Sequence, residues 1–195
     1  LINVACIVEG DGEVAALPVL LRRICEWQTP ESPARIPTPI RVYKDRFLNR
    51  DGEFRRHLLL AAAKCEQSGW VLVLLDADDD CPAARGAEIL QRAQAIIPHR
   101  RISVILANRE YEAWFIAAAR SLDGMRNFVL ESPADVVAPE VPRNAKGWLA
   151  RRMGGAGYNE TTDQPAFSAR MDLQQAFDSS RSFKKLCSEW LKHHR

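Results

Sequence analysis

Two hydrophobic rhythms alternate along this chain and predict its fold. Near-continuous apolar runs occupy Ile2 to Val8, Trp70 to Leu75 and Ile102 to Ala107, and a shorter alternating segment spans Ile40 to Tyr43. Runs of this length bounded by polar turns read as buried strands. Between them the rhythm becomes helical. Leu17, Leu20, Leu21 and Ile24 share one spacing, Phe54, Leu58, Ala61, Ala62 and Cys65 another, and Ile89, Ala93, Ile96 and Ile97 a third. The three helices are expected over Val14 to Ile24, with Pro18 in the first turn, over Glu53 to Gln67, and over Ala83 to Ile97. A further helix is expected from Asn108, which stands as its N-cap, through Trp114, Phe115 and Ala119.

Strands alternating with single helices predict an α/β fold, a mostly parallel four-stranded, Rossmann-like sheet flanked by helices. Past Ser121 the pattern weakens. Glu131 to Pro142 is rich in Pro and Ala, Gly154 to Pro165 reads as loop, and only Ala145 to Met153 and Ser182 to His194 look helical. The expected organisation is an α/β domain over residues 1–122 and a mainly helical extension over 123–195 packed on it.

Chemistry enters at the strand ends, where ligands of parallel sheets bind. The run ending at Leu75 empties into Asp76-Ala77-Asp78-Asp79-Asp80, and the first strand runs into Glu9-Gly10-Asp11-Gly12-Glu13. Unit charges about 4 Å apart repel by roughly 4 kcal/mol at an effective protein dielectric, so such a cluster takes up cations or protons, or splays into water. Carboxylate oxygens suit Mg²⁺ or Mn²⁺. Asp76 and Asp78 share a face if the strand persists, Asp80 either joins them or caps the next helix, and Asp79 faces solvent. Taken singly, Glu13 is a helix-dipole residue and Glu9 a loop acid. The second acidic strand end makes both of them site candidates. Glu110 and Glu112 cannot share one helical face, so only one of them is expected to serve the site.

Composition narrows the classes. Apolar residues make up 47% and charged residues 27%, which excludes a largely disordered chain. The net charge of +2 announces no global field for nucleic acid, but it leaves room for a local one. Arg143, Lys146, Arg151 and Arg152 around Trp148 are the candidate nucleic-acid-binding stretch; the alternative is an amphipathic helix with a solvated basic face. Five cysteines without a C-x-x-C pair suit a reducing compartment. No apolar stretch approaches the roughly 20 residues of a membrane span, and no basic segment precedes the first apolar run, so a cytoplasmic protein without a membrane partner is expected. Zinc-type spacings, G-x-x-x-x-G-K-[ST] and G-x-S-x-G are missing, which argues against zinc hydrolase, P-loop and serine hydrolase readings. The chain opens on Leu1 rather than Met, so a few trimmed residues are expected, and the His193-His194 pair is assigned no function.

The combination Val8-Glu9-Gly10-x-x-Glu13 and Leu75-Asp76-x-Asp78 across a βαβ arrangement resembles the TOPRIM fold of topoisomerases, bacterial primases and overcoming-lysogenization-defect nucleases. Asn108 to Phe115, with Asp163-Gln164-Pro165-Ala166 and Ser182 to Leu186, is similar to a bacterial family known as domain of unknown function 4276, often encoded beside ABC-type ATPases in defence loci. The resemblance implies that Glu9 is a metal ligand or general acid/base, that Asp76 and Asp78 form the D-x-D metal pair, and that Glu13 is the extra acid of the nuclease branch. It adds Glu112, from Glu-Ala-Trp, as the last ligand, and makes Glu9, Asp76 and Asp78 catalytic.

The implied activity is Mg²⁺- or Mn²⁺-dependent phosphodiester hydrolysis, with nucleic acid as substrate, an ABC-type ATPase as partner and phage defence as the setting. Strand passage is not expected, because Tyr43, Tyr111 and Tyr158 lie in a chain with no visible second domain for a nucleophilic tyrosine. Two rivals remain. One is a non-catalytic TOPRIM module that binds nucleic acid or nucleotide and docks on the ATPase. The other is a haloacid-dehalogenase-like phosphatase with Asp76 as nucleophile, which leaves the Glu9 to Glu13 turn unexplained.

Overall fold

The computed structural model describes residues 1–155 and 157–194. Its strands are β1 (Ile2–Val8), β2 (Ala34–Arg35), β3 (Ile40–Arg41), β4 (Trp70–Asp76) and β5 (Arg101–Ala107). They form one sheet in the order β2-β1-β4-β5, with β3 also on β1, and every pairing is parallel. The expected α/β class holds. The addition is β2, whose two residues, pairing Ile2 with Ala34 and Asn3 with Arg35, are too few to leave a hydrophobic signature. In register, Val8 lies beside Leu74, Leu74 beside Ile105 and Asp76 beside Ala107. The carboxyl ends of β1, β3, β4 and β5 therefore share one edge.

Side chains alternate across the sheet as the pleat requires. Val4, Cys6, Val8, Leu72, Leu74 and Ile105 face one layer, built by α1 (Asp11–Gln28) and the later helices. Ala5, Ile7, Val71, Val73, Leu75 and Val104 face the other, built by α2 (Lys44–Asn49), α3 (Asp51–Lys64) and α4 (Pro82–Ile96). Burial on both faces explains why these strands read as apolar runs rather than as alternation.

The rest of the chain supplies α5 (Ala113–Ala117), α6 (Ala119–Leu122), a 3-10 turn (Pro133–Asp135), α7 (Ala145–Arg152), α8 (Glu160–Ser168), α9 (Leu173–Ser179) and α10 (Arg181–His194). Leu17 and Leu20 of α1 share one core cluster with Trp148, Phe167 and Trp190 from these helices. No helix among the described residues is long and apolar enough to cross a membrane.

Four expectations change. α1 begins at Asp11, so Pro18 is interior and not in the first turn. It forfeits one helical hydrogen bond, and burial of Leu17, Leu20, Leu21 and Ile24 holds the helix together across it. Asn108 is not an N-cap. Arg109 takes a left-handed φ of 70°, which turns the chain before α5 starts at Ala113, and the Asn108 N–H donates to Ser182 Oγ at 3.1 Å. The stretch ending at Pro165 is not all loop, because α8 starts at Glu160, where the Asn159 side chain accepts the Thr161 N–H at 3.0 Å. α9 was also unforeseen; Asp172 caps it by accepting the Gln175 N–H at 2.9 Å.

The terminal histidines are core residues. His193 stacks on Trp70 at 4.6 Å between ring centroids, and His194 on Trp190 at 4.0 Å. Ser103, buried on β5, donates to Glu189 Oε2 at 2.5 Å and lies 2.9 Å from His193 Nε2, which suits a neutral imidazole whose Nε2–H donates to the hydroxyl. Burial pushes His193 down from the ordinary 6.5 to about 4. A group that binds its proton less well in the fold lets the unfolded chain protonate first, so stability is lost as pH falls from 6.5 to about 4. His193→Gln is expected to remove about 2 to 3 kcal/mol of that fall. Urea denaturation across this pH range measures it. Comparing the two proteins cancels the carboxyl groups, and parallel curves would sink the assignment.

Candidate functional site

β1 and β4 lie side by side, so the residues that leave them meet at the shared edge. Asp76 is the last residue of β4, Glu9 the first past β1, and Glu13 sits in the first turn of α1. Gly10 lets Glu13 fold back over the turn, since a Cβ there would overlap the Glu13 carboxylate. Gly12 lets α1 and α8 approach, since its Cβ would meet Gln164 and the Glu160 backbone. The result is a cleft of about 450 Å³ whose walls include Glu9, Glu13, Asp76, Asp78, Lys44 and Lys146.

Asp76 is fixed from the β5 side. The turn after β5 delivers the Tyr111 N–H to Asp76 Oδ1 at 2.8 Å, and the Asp78 N–H donates to Arg109 O at 2.9 Å. Asp78 itself has a left-handed φ of 51°, so the strand does not persist to it. It nonetheless meets Asp76 through Lys44, whose Nζ donates to Asp76 O at 2.7 Å and to Asp78 Oδ2 at 2.5 Å. Behind them Glu112 is fully buried. Its Oε1 accepts the Tyr158 hydroxyl at 2.9 Å and Gln164 Nε2 at 3.0 Å, and its Oε2 has no partner. Glu110 takes a different part, because its carboxylate accepts the Lys146 N–H at 3.0 Å and so anchors the start of α7. Lys146 Nζ then lies 3.1 Å from Glu160 Oε1, at the cleft wall.

Burial dominates the electrostatics. It raises Glu9, where Asp78 adds and Lys44 opposes, and it raises Glu13, where Lys146 opposes. Asp76 is held well above the carboxylate range by burial first, then by Glu112 and Glu13. Glu112 is pushed up to about 7 by burial, against the pull of Lys146 and the Tyr158 hydrogen bond. Burial works against the Lys146 charge, but Glu112, Asp76 and Glu160 outweigh it and raise that amine. These four carboxyl groups compete for very little counter-charge.

Other expected residues lie elsewhere. Asp80 neither joins the cleft nor caps α4: its side chain is 61% exposed and 4.0 Å from Arg85 Nε, and Cys81 is the N-cap. Asp79 is exposed, as expected, and pairs with Arg109 at 2.6 Å and Arg143 at 3.3 Å. The basic stretch does not form one surface. Lys146 faces the acids, Arg151 is exposed, and Arg152 lies 4.0 Å over the Trp148 ring and pairs with Asp135 at 2.6 Å. At about 100° per residue, positions five or six apart on a helix leave in different directions.

Lys44, Tyr158, Glu160 and Gln164 were missed. Lys44 was findable, because it follows β3 closely and therefore sits at the same carboxyl edge. Glu160 carried a weaker signal, an acidic first turn behind the capping Asn159. Gln164 stands in the Asp163-to-Ala166 stretch that carries the family likeness, which gives it no role, and nothing local marks Tyr158.

Among the described residues, no three His, Cys, Asp or Glu side chains converge closely enough to hold a metal ion as they stand. The donor chemistry still fits a hard cation. Glu9 Oε2, Glu13 Oε2 and Glu112 Oε2 are buried without any hydrogen-bond partner, and all are oxygens.

No curated protein and no solved structure matches the chain. A family model described as Domain of unknown function (DUF4276) matches residues 8–190, a span from the last residue of β1 into α10 that includes all the carboxylates of the cleft. The chain therefore belongs to the DUF4276 family.

Proposed function

We propose that the protein is a TOPRIM-like, Mg²⁺- or Mn²⁺-dependent nuclease, the effector partner of an ABC-type ATPase in bacterial phage defence, working in the cytoplasm. The observation that carries this reading is the set of buried, partnerless oxygens on Glu9, Glu13 and Glu112 around Asp76. Unpaired buried acceptors cost free energy, and a divalent cation compensates several at once. Glu9, Glu13 and Asp76 would hold it, with Asp78 and Glu112 as further donors. When bound, it supplies a water of lowered pKa and charge compensation for phosphoryl oxygens.

The chain's own residues do the rest. Lys44 and Lys146 meet phosphate oxygens as point charges at the cleft wall. Glu9, raised yet still reaching the cleft, moves a proton at the attacking water or the leaving oxygen. The Tyr111 amide orients Asp76, while Tyr158 and Gln164 orient Glu112. A net charge of +2 gives a weak grip on a polynucleotide, which is why the ATPase belongs to the proposal. The cytoplasmic setting rests on five free cysteines.

One observation favours a second reading, a non-catalytic module that binds nucleic acid or nucleotide and docks on the ATPase. Lys44 already neutralises Asp78 and the end of β4, as a built-in cation would. Cleavage of supercoiled plasmid, single-stranded DNA and RNA with Mg²⁺ or Mn²⁺, with and without a neighbouring ATPase, separates the two. The nuclease reading expects Glu9→Gln to lower the rate at least about a hundredfold. Measurable metal binding with no cleavage under any of these conditions establishes the second.

A further inference from the structure

We infer that the surface beside the acid cleft, formed by the end of β3, α2 and the start of α3, is a docking platform for single-stranded nucleic acid, centred on Tyr43. Tyr43, in the link between β3 and α2, is 61% exposed, a large aromatic face left open to solvent. The Arg41 guanidinium lies 4.9 Å and that of Arg46 5.3 Å from its ring centroid. Bases stack on arginine planes as well as on aromatic rings, so a base can lie on an outward guanidinium plane or take its place over the Tyr43 ring. Arg56 and His57 continue it into a pocket of about 270 Å³ floored by Phe47. Arg41, Val42 and Tyr43 line both this pocket and the acid cleft, so a strand lying on the platform leads into the cleft.

Charge supports the same occupant. The pocket beside Tyr43 is lined by three arginines, Arg41, Arg46 and Arg56, against a single carboxylate, Glu53. Arg41 pairs with Asp11 at 3.0 Å and Arg56 with Glu53 at 2.9 Å, while Arg46 has no carboxylate partner among the described residues. A positive surface interleaved with an exposed aromatic is how proteins hold single strands without reading sequence. An acidic peptide would use the charges but not the flat ring. The orientation towards the cleft rests on the phosphodiester reading; the binding itself does not.

The test is fluorescence anisotropy of a labelled oligodeoxyadenylate with the full chain in EDTA, so that failure of the metal reading leaves the result intact. Tyr43→Ala is expected to weaken binding about tenfold and Tyr43→Phe to leave it near wild type. Arg46→Ala is expected to reduce the slope of log affinity against log salt by about 0.7. The position is exposed, so these variants keep the fold, and circular dichroism checks this. The proposal is overturned if the oligonucleotide does not bind, if Tyr43→Ala binds like wild type, or if an abasic oligomer or polyglutamate competes as well as the oligonucleotide. Duplex DNA losing the same tenfold on Tyr43→Ala would also overturn it, because stacked bases cannot use the platform.

Discussion

Asp76→Asn is expected to make the protein more stable and to remove its cation-dependent cleavage at the same time. Asp76 is recessed at the end of β4, held well above the carboxylate range by burial and by Glu112 and Glu13. Its one firm hydrogen bond, from the Tyr111 N–H to Oδ1 at 2.8 Å, survives in asparagine, whose amide oxygen accepts equally well. What disappears is a carboxyl that in the fold must either ionise among like charges or hold a proton that the unfolded chain would release. A net gain of about 1 to 2 kcal/mol follows, or roughly 3 to 6 °C in Tm for a chain of this size. Mg²⁺ should raise the wild-type Tm, by about 2.7 kcal/mol of stability at a hundredfold excess over Kd, and leave the variant unmoved. Thermal melts with and without Mg²⁺, run beside the plasmid assay, read all three. A variant less stable than wild type would mean that Asp76 is held by favourable contacts, and strained acids would no longer explain the cleft.

That strain is also the reason so much of the site was legible beforehand. A run of buried strand residues that ends in carboxylates contradicts the cost of burying charge, and the contradiction does not depend on where the helices end. Glu9, Glu13, Asp76 and Asp78 were therefore visible, and the parallel sheet placed them together as the alternation of strands and helices implied. Asp78 reached the site by a route other than the expected one, through a left-handed turn and Lys44 rather than through a continued strand.

The errors have local causes. α8 carries Pro165 within its nine residues, and a proline beside polar residues reads as a loop unless the capping Asn159 is weighed against it. Its position against α1 depends on the close approach of Gly12 to Glu160 and Gln164, residues so distant in the chain that no local pattern encodes the contact. The basic stretch makes no single surface because neighbours along the chain are not neighbours on a helix, which sends Lys146 into the acids and lays Arg152 on Trp148. Glu112 was placed by family likeness alone, and its hydrogen bonds to Tyr158 and Gln164 span 46 and 52 residues.

Lys146→Met tests whether the acids depend on that lysine. Its amine is the positive charge that favours ionisation of both Glu112 and Asp76, and with its side chain 33% exposed its loss is expected to cost about 2 kcal/mol, less than for a fully buried pair. The cost should grow with pH. Glu112 already sits at about 7, and without the lysine its proton is held more tightly still. A carboxyl raised in the fold contributes stability that is complete below its unfolded value and is lost as pH rises through the folded one. Lys146→Met should therefore approach wild type near pH 5 and fall furthest behind above pH 7, where Glu112 must ionise without a partner. Adding Glu112→Gln removes that ionisation while leaving an oxygen to accept from Tyr158. The double variant should recover at least about 1 kcal/mol, a non-additivity expected only of groups in direct interaction. Urea denaturation of the four proteins at the two pH values measures the coupling. Strict additivity, or a loss independent of pH, would mean that Lys146 supports α7 by packing and that the acids find their counter-charge elsewhere.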